Sequence, residues 1–566
     1  MATEICYGFV CFISLEANGP KIFGISEFLA GLALMVLAWT TADVLYRFRI
    51  AAAPLPLRRI TFYVVTAVGV LTLLTDLWRA EEWLVPKGSL LTPSEWQATL
   101  GFLYIATFLS WAWFAFIKPP IYGRRNAKHY AQALYRFVLK GSTTELSVIA
   151  DELSYSAKNL VLYATDFSKR ARVVRSSEVH EQKNQTPTAE DYANDLLLLI
   201  ADKKFCRTIV QSSPGTALAF FQAVGEQKKY GIQIETFAKN IVAEALVNTD
   251  SFLYHETDGY ESGLLGYHKP LSQAMFADYK MVEGVGTLLT PDILGQWKWD
   301  AYKWKAYCRI VLMVFSDKID NDVWGRSFSL SQALGHIGEA TFGLYKINGM
   351  EKYVRDEDEQ EKLRVVVDFI GNAISILDKK EKPSFLPLRI TSSRRGETIY
   401  DELARVVFSV IFSAARVKSP AGLCWTIQHN YVWGEFTDFK FEGAAGKIIK
   451  YKLRRLIYDE IINMGKYQNY KSAMIIGFFL NVVGFIPRGG GDGHENILRK
   501  MVSGWAKRNY ASLCLNNPSV AEACLVDSIT YDAERYRLIK TYPTHALRQK
   551  PRLVYLQLDP PLKCSA

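Results

Sequence analysis

Hydrophobic positions are most concentrated in three windows near the start of the chain. A helix needs roughly 20 apolar residues to cross about 30 Å of hydrocarbon. The windows at residues 28–46, 60–78 and 97–117 meet that length. We therefore predict three transmembrane helices. The chain has no basic segment before the first window, which argues against a cleaved signal peptide.

The charges beside these windows predict their orientation. Lys and Arg in short loops stay on the cytoplasmic side of a membrane. Basic residues cluster in the first link, between the first and second windows, and directly after the third window. They are Arg47, Arg49, Arg58 and Arg59 in the link, and Lys118, Arg124, Arg125 and Lys128 after the third window. This pattern predicts a multi-pass protein of the plasma (cytoplasmic) membrane, with the N-terminus outside and the large C-terminal region in the cytoplasm.

From residue 118 onward, the hydrophobic residues of the chain mostly follow the periodicity of amphipathic helices. Strand-like patterns are few and begin near residues 528 and 552. An apolar run at 473–487 is too short to span a membrane and predicts a buried core helix. The predicted fold class is mainly α, with three N-terminal transmembrane helices, a large helical cytosolic region and a small β element near the C-terminus.

Two polar or proline-containing stretches, at 172–188 and 379–397, predict boundaries within the cytosolic region. The resulting division has four parts, listed in chain order. They are a membrane domain at 1–120, a helical connector at 121–185, a helical domain at 186–385, and a second helical domain with terminal strands at 386–566.

Composition adds a basic bias to this picture. The net charge is +10, although the first 117 residues hold seven Lys/Arg and eight Asp/Glu, so the positive excess lies after them. A basic cytosolic body favours contact with anionic lipid or nucleic acid, although a mild excess also fits an ordinary soluble surface. The eight cysteines form no C-x-x-C pair, which disfavours a zinc ribbon or a thioredoxin-like site.

Two basic segments are candidate binding surfaces. The first interleaves aromatic and basic residues, at Trp297, Lys298, Trp299, Lys303, Trp304 and Lys305. The second, at 447–460, has Lys447, Lys450 and Arg454 at helical spacing. Aromatic faces stack on bases or seat among lipid headgroups, while cations meet phosphate. The alternative for both segments is a core helix with a solvated basic side.

One loop offers candidate metal ligands. His255, Asp258, Glu261 and His268 lie within a short segment, although Asp-Gly and Ser-Gly pairs there also favour turns. His336 and Glu339 share a helical face, where a packed histidine is the simpler interpretation. The glycine-rich segment at 488–496 favours a helix connection capped by Asp492 and Glu495 over a phosphate loop. No cofactor is expected.

No motif in the chain fixes a reaction, so function is argued from architecture. The leading hypothesis is a membrane-anchored, non-enzymatic cytosolic protein acting as a sensor, scaffold or effector through a protein, lipid or nucleic-acid partner. One alternative is a pore-forming or membrane-perturbing homo-oligomer, in which Ala38 and Ala42 allow close helix approach. The other alternative is an unrecognised metal-dependent hydrolase using the loop of His255. The aspartate Asp43 is expected to pair with Arg47 at the cytoplasmic edge of the first span.

Overall fold

The computed structural model describes most of the chain in two compact units, Met1–Ile241 and Val242–Ala566. The described residues are 4–7, 10–14, 21–40, 43–86, 92–166, 187–258, 270–290, 295–350, 357–380, 397–437, 441–486, 493–542 and 551–561. The division between units falls inside the helix Glu235–Val247. The protein is mainly helical, as predicted, whereas the four-part domain division stays a prediction.

Four apolar helices open the first unit. They are α1 (Ile25–Thr40), α2 (Val44–Ala52), α3 (Leu57–Ala80) and α4 (Pro93–Ala112), which a π-helical turn extends to Ile117. Two of them are long and apolar enough to cross a membrane, namely α3 and the extended α4. The pair α1 and α2 makes a third candidate only if it counts as one bent span. The prediction of three spans is therefore correct only in part.

The first predicted span, 28–46, is not one straight helix. The axes of α1 and α2 differ by 104°. Asp43 takes extended backbone angles, and its carboxylate accepts a hydrogen bond from the Val44 amide at 2.6 Å. Short acidic side chains favour this N-cap geometry over continuation of a helix. Asp43 thus begins α2, while Ala42 lies outside the described residues.

The predicted ion pair between Asp43 and Arg47 is replaced by a longer-range contact. The Arg47 guanidinium lies 3.8 Å from the carboxylate of Glu145. Asp76, near the end of α3, accepts a hydrogen bond from the Ile25 amide at 2.8 Å. Asp43 therefore accepts a hydrogen bond from the first amide of α2, and Asp76 from the first amide of α1. The first amides of a helix have no acceptor inside that helix.

The apolar helices pack through large side chains set against glycines. Phe28 and Tyr104 meet edge to face, with ring centroids 5.6 Å apart. A Cβ atom at Gly69 would lie only 2.7 Å from the Phe28 ring, so only glycine permits this approach. At one end of these helices lies an antiparallel sheet of β1 (Glu4–Tyr7), β2 (Val10–Ser14) and β3 (Leu84–Pro86).

The rest of the first unit is a helical body. Its helices are α5 (Ala127–Lys140), α6 (Thr143–Ser154), α7 (Ala157–Tyr163), α8 (Ala189–Leu199), α9 (Lys203–Ser212), α10 (Pro214–Gln227) and α11 (Glu235–Val247). Arg49 on α2 forms a two-pronged ion pair with Glu152 on α6, with N–O distances of 2.8 and 2.9 Å. The same guanidinium donates to the Ala115 carbonyl at 3.1 Å. This contact fixes α2 to the helical body.

The second unit packs around the buried helix α18 (Ile399–Ala415). Its preceding helices are α12 (Phe252–Asp258), α13 (Pro270–Phe276), α14 (Tyr279–Val285), α15 (Ala301–Asp320), α16 (Phe328–Glu339) and α17 (Glu357–Asp378). The following ones are α19 (Ala421–Trp425), α20 (Glu435–Thr437), α21 (Ala444–Lys466), α22 (Tyr470–Val482), α23 (Gly493–Asn516) and α24 (Pro518–Ala523). Helices α16, α21 and α22 all contact α18.

Two predicted elements of the second unit are confirmed. The apolar run at 473–487 forms α22, and its residues from Ile475 to Val482 are buried. The terminal strand patterns form an antiparallel sheet of β4 (Ile529–Asp532), β5 (Arg537–Tyr542) and β6 (Arg552–Gln557). Both outcomes follow from hydrophobic length and strand propensity alone.

Candidate functional site

Helix α21 separates an apolar side from a basic side. Ile448, Ile449 and Leu453 are buried against the core. Lys447 is exposed, and Lys450 and Arg454 are half-buried. Residues three, four and seven positions apart share one side of a helix. The helical spacing therefore brings the three predicted cations together on one side.

Three further residues extend this side and were missed from the sequence. The Arg454 guanidinium lies 5.2 Å from the centre of the Tyr451 ring, and the Arg455 guanidinium lies 5.3 Å from that of Tyr458. Arg455 also meets Asp459 at 3.4 Å. The i, i+3 and i+4 spacing that connects these residues to Lys447 was readable from the sequence. We call Lys447, Lys450, Tyr451, Arg454, Arg455 and Tyr458 the basic face.

Polar contacts fix the opposite side of α21, and one of them is buried. The Lys452 ammonium lies 2.6 Å from the Asp401 carboxylate of α18, and both side chains are almost fully buried. Nearer the end of the helix, Glu460 accepts hydrogen bonds from the Lys471 ammonium at 2.5 Å and from the Ser472 hydroxyl at 2.8 Å. Directional contacts of this kind prevent α21 from rolling about its axis. The basic face is therefore a fixed surface of the second unit.

The basic-aromatic segment at 297–309 is arranged differently. Trp299 and Trp304 are 7% and 3% exposed, and both pack against the buried Tyr307. These two indole rings form a core cluster and offer no face to a base or a headgroup. The side chain of Trp297 lies outside what the structure describes. This arrangement favours the core-helix alternative for the aromatic residues.

The lysines of that segment are more exposed than these two indole rings. Lys305 is exposed, while Lys303 is half-buried and its ammonium lies 3.8 Å from Asp300, the N-cap residue of α15. Lys298 closes a short 3-10 turn, Gln296–Lys298, and is exposed. Binding of an anionic partner by these three lysines stays a prediction.

The candidate metal ligands are only partly described. The His255 ring lies 3.0 Å from the Asp250 carboxylate, and Asp258 is the last residue of α12. Glu261 and His268 lie outside the described residues. The neighbouring Glu256 accepts hydrogen bonds from the amides of Leu271 and Ser272, at 3.3 and 2.6 Å. Over the described part of the chain, no three His, Cys, Asp or Glu side chains are grouped to hold a metal ion.

Two other sequence candidates take structural roles. His336 is mostly buried, with Nδ1 3.7 Å from the carboxylate of Glu339, as their spacing on one helical face predicts. Glu495 accepts a hydrogen bond from the indole N–H of Trp433 at 2.9 Å. Asp492, its predicted capping partner, lies outside the described residues.

Comparison with known proteins adds no relative from which a role transfers. No protein-family model, curated protein or solved structure matches the chain. Function is therefore argued from the chemistry of the chain's own surfaces and clefts.

Proposed function

We propose that this chain is a membrane-anchored cytosolic binding protein, of the sensor, scaffold or effector kind. Its apolar helices hold it in the plasma membrane, with residues after 118 in the cytoplasm. Its helical body binds an anionic partner through the basic face of α21. The observation that carries the proposal is this face, which presents exposed and half-buried cations and tyrosines on a helix whose other side is fixed in the core.

The partner that fits best is the anionic inner leaflet. A membrane anchor keeps the cytosolic body within reach of that leaflet, which raises the effective concentration of its headgroups. Each Lys or Arg near such a surface contributes about 1 kcal/mol, and that contribution falls off within a Debye length of roughly 8–10 Å. Tyrosines among the cations also suit a headgroup layer, where amphipathic rings concentrate.

The dimensions of the face agree with a shallow, lengthwise contact. Lys447 and Tyr458 are separated by about 16 Å along the helix axis, at 1.5 Å per residue. The cations of the face and the rings of Tyr451 and Tyr458 therefore make the contact, and little apolar surface inserts into the membrane. Such binding is reversible and sensitive to lipid charge, which suits a sensor of leaflet composition.

The test uses the full chain in lipid nanodiscs of either neutral phosphatidylcholine or a mixture containing phosphatidylserine. Hydroxyl-radical footprinting reports the solvent access of Tyr451 and Tyr458. We expect lower modification of both in the anionic discs and recovery of modification at high salt. The charge-reversed variant Lys450→Glu/Arg454→Glu is expected to lose the protection.

A matched variant checks that the effect belongs to this face. Arg364 lies on the exposed side of α17, with 74% of its side chain accessible. Arg364→Glu is expected to leave the footprint of Tyr458 unchanged. If Tyr458 is modified equally in both kinds of disc, leaflet binding is wrong. If instead an added oligonucleotide protects it, the partner is nucleic acid.

A further inference from the structure

A cleft of about 280 Å³ lies between α16 and α18 of the second unit. Small residues make room for it, since Gly338 of α16 faces Ser409 of α18, and Gly335, also of α16, lines the cleft. A Cβ atom at Gly338 would lie 3.2 Å from the Cβ of Ser409, so the helices approach closely at this level. The volume is slightly below the usual range for drug-sized ligands and suits a small metabolite.

An incompletely paired carboxylate forms one wall of this cleft. Glu402 is only 5% exposed. Its Oε1 accepts a hydrogen bond from the Ser331 hydroxyl. Its Oε2 is buried and has no hydrogen-bond partner among the described residues. Buried polar atoms are rarely left unpaired, because desolvation without a partner costs about 1–3 kcal/mol. Oε2 therefore calls for a donor that the described residues do not provide there.

A guanidinium with spare donors stands beside this carboxylate. The Nε of Arg326 lies 3.3 Å from the Ser331 hydroxyl and 3.7 Å from Oε1 of Glu402. Within the described chain, its two terminal amino groups have no hydrogen-bond acceptor. Arg405, also at the cleft, differs because Glu397 already holds it through both carboxylate oxygens. Arg326 therefore offers a planar fork of the kind that binds a carboxylate.

Charge balance selects between ligand classes. Among the described residues, the cations facing Glu402 are Lys318, Arg326 and Arg405. The acids opposing them are Glu402 itself, Glu283 near Lys318, and Glu397 on Arg405. A further acid of the lining, Glu339, is more than half exposed and lies 3.7 Å from His336. A lone cation or anion would add an unbalanced charge to this half-buried cluster, which is costly. A ligand carrying both charges satisfies the Glu402 carboxylate and the Arg326 fork together.

We propose that this cleft binds a free α-amino acid with an apolar side chain. Its ammonium group donates to Oε2 of Glu402, and its carboxylate accepts from the terminal amino groups of Arg326. Its side chain lies against the apolar walls formed by Leu334, Phe342 and Val406. The inference goes beyond the proposed membrane contact, because it uses different helices and a different ligand.

The first experiment uses matched probes with the unmodified full chain in mild detergent. Isothermal titration calorimetry is run with L-leucine, L-valine and L-methionine. Leucinamide, which lacks the carboxylate, and N-acetyl-L-leucine, which lacks the ammonium, are titrated in parallel. We expect at least one free amino acid to bind saturably and both leucine derivatives to bind about tenfold weaker or worse. No saturable binding by any of the three amino acids overturns the proposal, and so does equal binding of leucinamide.

The second experiment assigns the site. Glu402→Gln and Arg326→Gln are each expected to weaken the amino acid about tenfold or more, while Arg326→Gln leaves the affinity for leucinamide nearly unchanged. The matched controls are Glu361→Gln and Arg364→Gln on the exposed side of α17, which keep full affinity. Unchanged affinity in both cleft variants overturns the assignment. If one variant fails to fold, the probe comparison on the unmodified chain still decides.

Discussion

The most consequential single residues are charged groups buried in the second unit. Lys452 and Asp401 are 1% and 2% exposed and lie 2.6 Å apart. Asp401 also accepts hydrogen bonds from the amide and hydroxyl of Thr398, at 2.9 and 2.7 Å. Removal of one partner leaves a buried charge without its counterpart, which typically costs about 3–5 kcal/mol.

Lys452→Met is therefore expected to lower the thermal unfolding midpoint of the full chain markedly, by an amount equivalent to about 3 kcal/mol or more. Differential scanning fluorimetry in detergent measures the shift. Lys450→Met, two residues away on the basic face, is the matched control and should change stability by less than about 0.5 kcal/mol. Equal midpoints for the two variants would show that the ion pair contributes nothing net.

Glu402 gives the second unit a pH-dependent stability. Burial raises the pKa of this carboxyl above its ordinary 4.5, although Ser331, Lys318, Arg326 and Arg405 act in the opposite direction. The folded chain then holds a proton over a pH range in which the unfolded chain has lost it. The stability contributed by Glu402 is therefore full below pH 4.5 and is lost as the pH rises through the folded pKa.

The variant Glu402→Gln removes this titration while keeping the shape of the side chain. As the pH rises from 4.5, the unfolding midpoint of this variant should increase relative to that of the unmodified chain. Paired thermal scans across that range test the prediction, with Glu361→Gln as the exposed counterpart that follows the unmodified chain. A difference that is constant with pH would contradict the raised pKa.

Sequence pattern predicted some side chains well and others poorly for a common reason. Lys447, Lys450 and Arg454 were placed on one side of a helix, because spacing alone determines which residues share a face. Lys452, between them, points into the core, and its partner Asp401 lies 51 positions earlier. The partner of a buried charge depends on tertiary contacts that helical spacing does not encode. The same holds for Trp304, whose neighbours form a core cluster that a basic-aromatic pattern does not reveal.

At the scale of elements, the sequence predicted where helices lie better than where one helix ends and the next begins. Hydropathy located α3 and α4 within a few residues, but it merged α1 and α2 into one span. The break was marked in the sequence, since an aspartate before an apolar run is a helix N-cap signal. Asp43 was instead interpreted as a membrane-edge charge paired with Arg47. Window averages over about 20 residues cannot detect one capping residue.

The contact between α2 and α6 yields the third prediction. Arg49→Lys keeps the charge but loses the guanidinium group, which donates to both carboxylate oxygens of Glu152 and to the Ala115 carbonyl. We expect a local cost of about 1–2 kcal/mol and about tenfold faster amide hydrogen exchange over residues 44–52. Exchange measured by mass spectrometry on the full chain in nanodiscs reports this change.

Arg47→Lys is the control for that experiment. Arg47 is half-exposed and meets Glu145 only at 3.8 Å, so its replacement should change exchange by less than about a factor of two. If both variants exchange alike, the ion pair of Arg49 does not hold α2 in place. The bend at Asp43 would then rest on the N-cap alone.

At the scale of the whole molecule, hydrophobic pattern predicted the helical class, the terminal sheet and two helices long and apolar enough to cross a membrane. It did not predict the packing that creates the cleft of Glu402. That cleft depends on Gly338 of α16 meeting Ser409 of α18, roughly 70 residues later in the chain. The candidate ligand site depends on contacts between residues far apart in the sequence. The basic face, in contrast, follows from the local periodicity of one helix.

The orientation in the membrane is the last prediction, and the proposed leaflet contact depends on it. The basic links predict that the N-terminus lies outside and that residues after 118 lie in the cytoplasm. The pairing of β2 with β3 keeps the N-terminal hairpin beside the link between α3 and α4, so these two segments share one side in either orientation. An epitope tag at each end of the full chain tests the orientation in sealed vesicles of known sidedness.

Protease added to intact right-side-out vesicles should remove the N-terminal tag and spare the C-terminal one, and inverted vesicles should give the opposite result. Arg58→Gln/Arg59→Gln removes half of the basic charge from the first link, so this variant is expected to yield a mixed population. Arg364→Gln, which leaves the charge of the link intact, should leave the pattern unchanged. Loss of the C-terminal tag from right-side-out vesicles would place the basic face outside, away from the anionic leaflet that we propose as its partner.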